Sequence, residues 1–120
     1  MNNSKERSWI EINTKNLEYN INQIKTIIPK TTQIMAVVKT NAYGHDSIII
    51  SKKLQEIGIK DFAVATLPEA IELRKNNITG NILILGYTGP EELQTAIDNN
   101  IMQTIVDNDY AKSVLKANLQ

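Results

Sequence analysis

Lys39 ends a continuous apolar run, Ile34-Met35-Ala36-Val37-Val38, and opens the string Thr40-Asn41-Ala42-Tyr43-Gly44-His45-Asp46. Desolvation at a buried strand end favours the neutral amine over the ammonium, and a neutral amine attacks aldehydes. The plainer reading of such a lysine, taken in an arbitrary chain, is a solvated residue closing a strand. Tyr43 is separated by two residues from Asp46, the expected cap of the next helix, and so falls near a helix N-terminus whose free amides favour an anion. Its hydroxyl suits a phosphate, with simple packing as the alternative. His45 and Asp46 read as turn and cap residues. There is no Gly-x-Gly-x-x-Gly after a strand, no Walker loop and no Gly-x-Ser-x-Gly elbow. Glu69, Glu72, Glu91 and Glu92 fall in helix first turns, where favourable interaction with the helix dipole accounts for them.

The elements that must position this loop alternate. Trp9-Ile10-Glu11-Ile12 reads as a short strand, and Leu17, Ile21, Ile24 and Ile28 mark an amphipathic helix capped by Asn13 or Thr14 and ended by Pro29. The apolar run before Lys39 is a strand covered on both faces. A helix follows from Asp46 through Ile49, Ile50, Leu54 and Ile57, with Gly58 at its left-handed end. Phe62 to Ala65 and Ile82 to Leu85 are the next strands. Each is followed by capping-box spacing, Thr66 with Glu69 and Thr88 with Glu91. Met102 to Val106 reads as a further strand, and Asp107 caps a last helix through Ala111, Val114 and Leu115. Alternating β-α units imply an α/β fold with right-handed crossovers and a parallel sheet. Periodicity leaves a small open doubly wound sheet and part of a barrel both in play, with the open sheet the simpler. A complete barrel takes about 250 residues.

Composition narrows the classes of partner. At 120 residues and 42% apolar the chain can bury a core, and no linker divides it. Thirteen basic and thirteen acidic residues cancel, leaving no summed field to attract nucleic acid or anionic lipid. No apolar run approaches the ~20 residues of a membrane helix, and residues 1–7 lead into no secretory signal. The absence of cysteine and the single histidine leave no basis for a metal site. A cytoplasmic location is expected.

The string Ala36 to Asp46 closely resembles the pyridoxal-phosphate signature of bacterial alanine racemases, Ala-Val-Val-Lys-Ala-Asn-Ala-Tyr-Gly-His-Gly. Nine of its eleven positions match, and Thr40 and Asp46 stand in place of alanine and glycine. Trp9 to Ile12, Phe62 to Ala65 with Glu69-Ala70 and Leu73-Arg74, and Ile82 to Gly86 are similar to that family's opening segments, in order. The resemblance overrules the open sheet. It implies the N-terminal half of a TIM-type (β/α)8 barrel, with residues 1–120 forming a partial barrel domain that lacks the family's C-terminal β domain. It implies pyridoxal 5'-phosphate carried by Lys39 as an internal aldimine, with Lys39 then acting as the base toward the α-proton of the D-enantiomer. Tyr43 would hold the cofactor phosphate, and Val37 and Leu85 match positions lining the cofactor pocket.

The same resemblance implies a homodimer that interconverts L- and D-alanine, supplying D-alanine for peptidoglycan. The family takes its second acid/base from a tyrosine of the partner subunit's C-terminal domain. That tyrosine and the later arginines of the pocket are not encoded here, so the 120 residues alone are expected to be inactive. Leu85-Gly86-Tyr87-Thr88 is also similar to the membrane-linked serine racemases of vancomycin resistance, ranked second because no membrane segment precedes it. A non-catalytic pyridoxal-phosphate-binding protein of the related single-barrel family, and an open-sheet binding module without cofactor, are the remaining alternatives.

Overall fold

A computed structural model of the chain describes residues 8–120; residues 1–7, read above for a secretory signal, lie outside the described part. Helix α1 (Thr14–Ile27) begins where the Asn13 side chain accepts from the Asn16 amide at 3.0 Å, satisfying a donor the helix itself leaves open. There follow β1 (Met35–Val37), a short left-handed turn α2 (Lys39–Tyr43), α3 (Ser47–Glu56), β2 (Asp61–Val64), α4 (Leu67–Lys75) and β3 (Asn81–Ile84). A 3-10 turn (Pro90–Glu92) leads into α5 (Leu93–Asp98), and β4 (Met102–Gln103) and α6 (Asn108–Lys116) complete the described elements.

The four strands are parallel and stand in the order β1-β2-β3-β4. A doubly wound sheet reverses its strand order at a switch point, which sends helices to both faces. Here every strand joins beside the one before it, so right-handed crossovers carry the helices to one face. Burial follows that geometry. Phe62, Val64, Ile82 and Ile84 are fully buried in the core with Ala70, Leu73 and Ile78, each large side chain contributing about 1.5–3 kcal/mol. On the opposite face Met35, Val37, Leu85 and Met102 keep 39% to 43% of their surface exposed. One-sided winding is the arrangement of the opening strands of a TIM-type barrel, and it replaces the doubly wound alternative.

Several elements differ from their sequence reading. Trp9 to Ile12 form no strand; Trp9 and Ile10 are exposed, and the Trp9 indole donates to Glu11 at 3.2 Å. An extended segment with no neighbour has no ladder to satisfy its amides. The strand expected over Met102 to Val106 shortens to two residues, because the Thr104 amide makes a last bond to the Ile84 carbonyl (3.1 Å) and Ile105 and Val106 turn outward. Thr88 caps nothing: Pro90 opens a 3-10 turn, and the Thr88 hydroxyl is buried with no hydrogen-bond partner. In α3 the inner positions go to Ser47, Ser51 and Leu54 while Ile49 is exposed, and in α6 Leu115 is exposed and Tyr110 is the buried residue.

Beneath the sheet, Arg74 joins two loops. Its guanidinium donates to the carbonyls of Ile78 and Gly80 ahead of β3 and to those of Asn99 and Asn100 ahead of β4, at 2.7 to 2.9 Å. Burial lowers its pKa from the ordinary arginine value.

Candidate active site

Val38 leaves the extended region (φ −118°, ψ 22°), so β1 stops at Val37 and Lys39 begins the turn. The alternation of β1 therefore ends before Lys39, and the turn sets the lysine's placement. Thr40, Asn41, Ala42 and Tyr43 all adopt left-handed helical backbone, with φ between 52° and 57°. Four consecutive non-glycine residues there cost about 1–2 kcal/mol each, and such strain persists only where the surroundings over-determine it.

The surroundings do so from three directions. From within the turn, the Ala42 amide donates to the Val38 carbonyl (3.0 Å), and the His45 amide and ring Nδ1 both meet the Ala42 carbonyl (3.1 and 3.0 Å). His45 is thus the turn residue its position suggested. From α3, the Ser47 amide donates to the Asn41 side chain at 2.9 Å. From α4, the Glu69 carboxylate accepts from the Thr40 amide at 3.1 Å and from the Ala65 amide at 2.8 Å. Gly44 then closes the turn at φ 90°.

Both departures from the alanine racemase pattern occupy positive φ. Thr40 places a β-branched side chain at φ 53°, and Asp46 sits at φ 69° where the pattern has glycine. Asp46 offsets its strain by capping: its carboxylate accepts from the Ile48 and Ile49 amides at 3.0 and 3.1 Å. This corrects the expectation of free amides near Tyr43. With Ser47 bonded to Asn41 and the next two amides bonded to Asp46, the first turn of α3 is already satisfied by side chains. Tyr43 itself is 61% exposed, and it lines with Val37, Ala42 and His45 a cleft of about 520 Å³ between β1 and α1.

Lys39 is half-buried, and among the described residues its amine joins neither of the ion pairs, which link Lys53 to Glu18 and Glu56. Val37 shares a rung with Ala63 and Leu83. The Leu85 amide continues the ladder to the Val64 carbonyl at 2.8 Å, so Leu85 follows Leu83 onto the same open face. The structure thus brings Val37 and Leu85 to one surface, with only the small side chains of Ala63 and Ala65 on the strand between. Gly86 permits close approach there, since a Cβ would lie 2.6 Å from the Ala65 carbonyl oxygen. Spacing alone did not reveal Asn41 or Glu69. Glu69 three residues after Thr66 looks like a capping box, and nothing local betrays a partner 29 residues away.

Residues 12–120 match the N-terminal domain of alanine racemase. The chain belongs to that family. It is 47% identical over 107 residues to an amino-acid racemase of Enterococcus faecalis, covering 89% of this chain and 15% of that protein. It is 40% identical over 111 residues to alanine racemase 1 of Caldanaerobacter subterraneus, covering 92% of this chain and 29% of that protein. Among solved structures, alanine racemase from E. faecalis superposes with a TM-score of 0.83 at 30% identity, over 88% of this chain and 28% of its own. The Bacillus anthracis alanine racemase with bound L-Ala-P gives 0.81 at 36% identity, over 87% and 27%. The chain therefore spans less than a third of the relatives it matches. No described helix is long and apolar enough to cross a membrane.

Proposed function

We propose that this chain is the opening part of the barrel of a pyridoxal-phosphate-dependent racemase that interconverts L- and D-alanine, works as a homodimer in the cytoplasm and supplies D-alanine for peptidoglycan. The observation that carries the reading is Lys39: a half-buried residue whose amine lies outside every described ion pair, at the head of a strained turn at the sheet's C-terminal edge, where barrel enzymes gather their chemistry. These residues fit the cofactor. The amine is available for a covalent bond, and Ala63 and Ala65 leave the sheet face beside Val37 and Leu85 low enough to receive a flat ring.

When bound, pyridoxal phosphate supplies an electron sink for the carbanion left at the substrate α-carbon. Lys39 would anchor the cofactor and, once released, hold and return the α-proton on one side of the substrate. Tyr43 would donate its hydroxyl to the phosphate, and Val37 and Leu85 would exclude water from the ring. Support for the alanine assignment comes from the named relatives. A second reading, a racemase domain within a longer chain that acts on another amino acid such as serine, is favoured by the 47% identity to the E. faecalis amino-acid racemase, of which this chain spans 15%. Borohydride reduction in the presence of pyridoxal phosphate, followed by peptide mass spectrometry, tests the common core of both. The pyridoxyl label is expected on Lys39, and a label mainly on Lys52, Lys53 or other surface lysines would overturn the assignment.

A further inference from the structure

Glu69 lies in the first turn of α4, where its own amide donates to the Thr66 hydroxyl at 3.4 Å. In a capping box its carboxylate would fold back to the Thr66 amide. It reaches away instead. One oxygen accepts from the Thr40 amide and the other from the Ala65 amide, so a single carboxylate bridges the chain just beyond β1 and just beyond β2. The Thr40 amide belongs to the peptide that joins Lys39 to the left-handed turn. Neither amide has another acceptor among the described residues, and neither described ion pair includes Glu69. The base of α4 is fixed by the buried Leu67, Ala70 and Leu73, which gives the carboxylate a rigid platform.

We propose that Glu69 is a positioning residue for Lys39: it fixes the peptide from which the lysine leaves the sheet and holds Thr40 in its left-handed conformation. Charge-assisted hydrogen bonds to amides are stronger than neutral ones, which suits a group that must hold strained backbone. The proposal rests on Lys39 as the cofactor lysine, and two independent readouts keep the two ideas apart.

The experiment compares the chain with its Glu69→Gln and Glu69→Ala variants. Amide hydrogen exchange by NMR reads the clamp, and borohydride trapping with pyridoxal phosphate reads Lys39 against Lys52. The proposal expects exchange at Thr40 and Ala65 to accelerate at least tenfold, ladder amides of β2 and β3 to keep their protection, and the Lys39 share of label to fall at least fivefold. Should Glu69→Ala lose ladder protection as a whole, the isosteric Glu69→Gln decides. Unchanged exchange at Thr40 and Ala65 in a folded variant overturns the proposal. Faster exchange with undiminished labelling of Lys39 also overturns it, leaving Glu69 a structural clamp. A parent chain that takes no label on Lys39 removes the cofactor reading and the positioning role with it, whatever the exchange rates show.

Discussion

An amine is freer for covalent carbonyl chemistry when it is not held in an ion pair, and among the described residues Lys39 joins none while Lys53 is bound to Glu18 at 2.9 Å. Replacing Lys39 by arginine keeps the length and charge but leaves a guanidinium that stays protonated. Lys39→Arg is therefore expected to fold as the parent does and to lose the pyridoxyl label from position 39; an undiminished yield of labelled chain would show that other lysines had carried it. Tyr43 asks for a different readout. Its exposed ring contributes little to the core, so Tyr43→Phe should alter stability by less than about 0.5 kcal/mol. Loss of one hydrogen bond to a charged phosphate should cost about 1.5–3 kcal/mol, a roughly ten- to hundredfold weaker affinity for pyridoxal phosphate in a spectroscopic titration. Unchanged affinity would place Tyr43 outside the phosphate contact. The position of the lysine just after a strand was legible in the sequence because an apolar run leading into a polar string is a local pattern, whereas a cofactor role for it came only from the resemblance. The bond that completes the first turn of α3 was not legible, because Asn41 reaches Ser47 across a left-handed turn that no spacing announces.

The left-handed turn α2 is the element on which the site depends, and its strain is testable. At Thr40, glycine would adopt the same backbone without steric cost. Relief of about 1–2 kcal/mol, set against about 0.4–1 kcal/mol of added unfolded-state entropy, leaves Thr40→Gly more stable by about 0.5–1 kcal/mol in denaturant unfolding. A destabilised variant would mean that the Thr40 side chain makes an interaction outweighing its strain. Arg74 is the opposite case, an element-joining residue far from the site. Arg74→Met keeps the aliphatic stem but leaves four carbonyls of two loops unpaired, and about 3 kcal/mol of stability is expected to go, with no change in labelling at Lys39. Loss below 1 kcal/mol would show that water replaces the guanidinium. Element order and caps were readable where signals are local: Asn13, Asp46, Thr66 and Asp107 all accept the amide bonds expected of them. Thr88 failed because Pro90 imposes a tighter turn, and Trp9 to Ile12 failed because strand identity belongs to a pair of segments and not to one.

At the scale of the molecule, the helices cover one face of the sheet while Met35, Val37, Leu85 and Met102 line the other. Sequential strand order could not be read from periodicity, since alternating β-α units look the same in an open sheet and a barrel; it took the resemblance to choose, and the β1-β2-β3-β4 order agrees. The open face also bears on catalysis. Racemisation needs a proton removed on one side of a planar carbanion and another delivered to the opposite side, by groups held in place. Lys39 supplies one. Tyr110 is a poor second, because its hydroxyl donates to the Thr88 carbonyl at 2.8 Å and burial raises its pKa from the usual tyrosine value. Tyr87 packs its ring against Tyr110 with centroids 5.0 Å apart, in the loop after β3, at the same edge of the sheet as the Lys39 turn. The 120-residue chain is therefore expected to bind pyridoxal phosphate at Lys39 yet to interconvert D- and L-alanine no faster than free cofactor mixed with the Lys39→Ala chain, since cofactor alone labilises α-protons slowly. Chiral analysis of alanine after incubation with each mixture makes the comparison. A rate clearly above both controls that co-elutes with the chain in gel filtration would mean that a second acid/base stands opposite Lys39 within these residues, with Tyr87 the first to replace by phenylalanine.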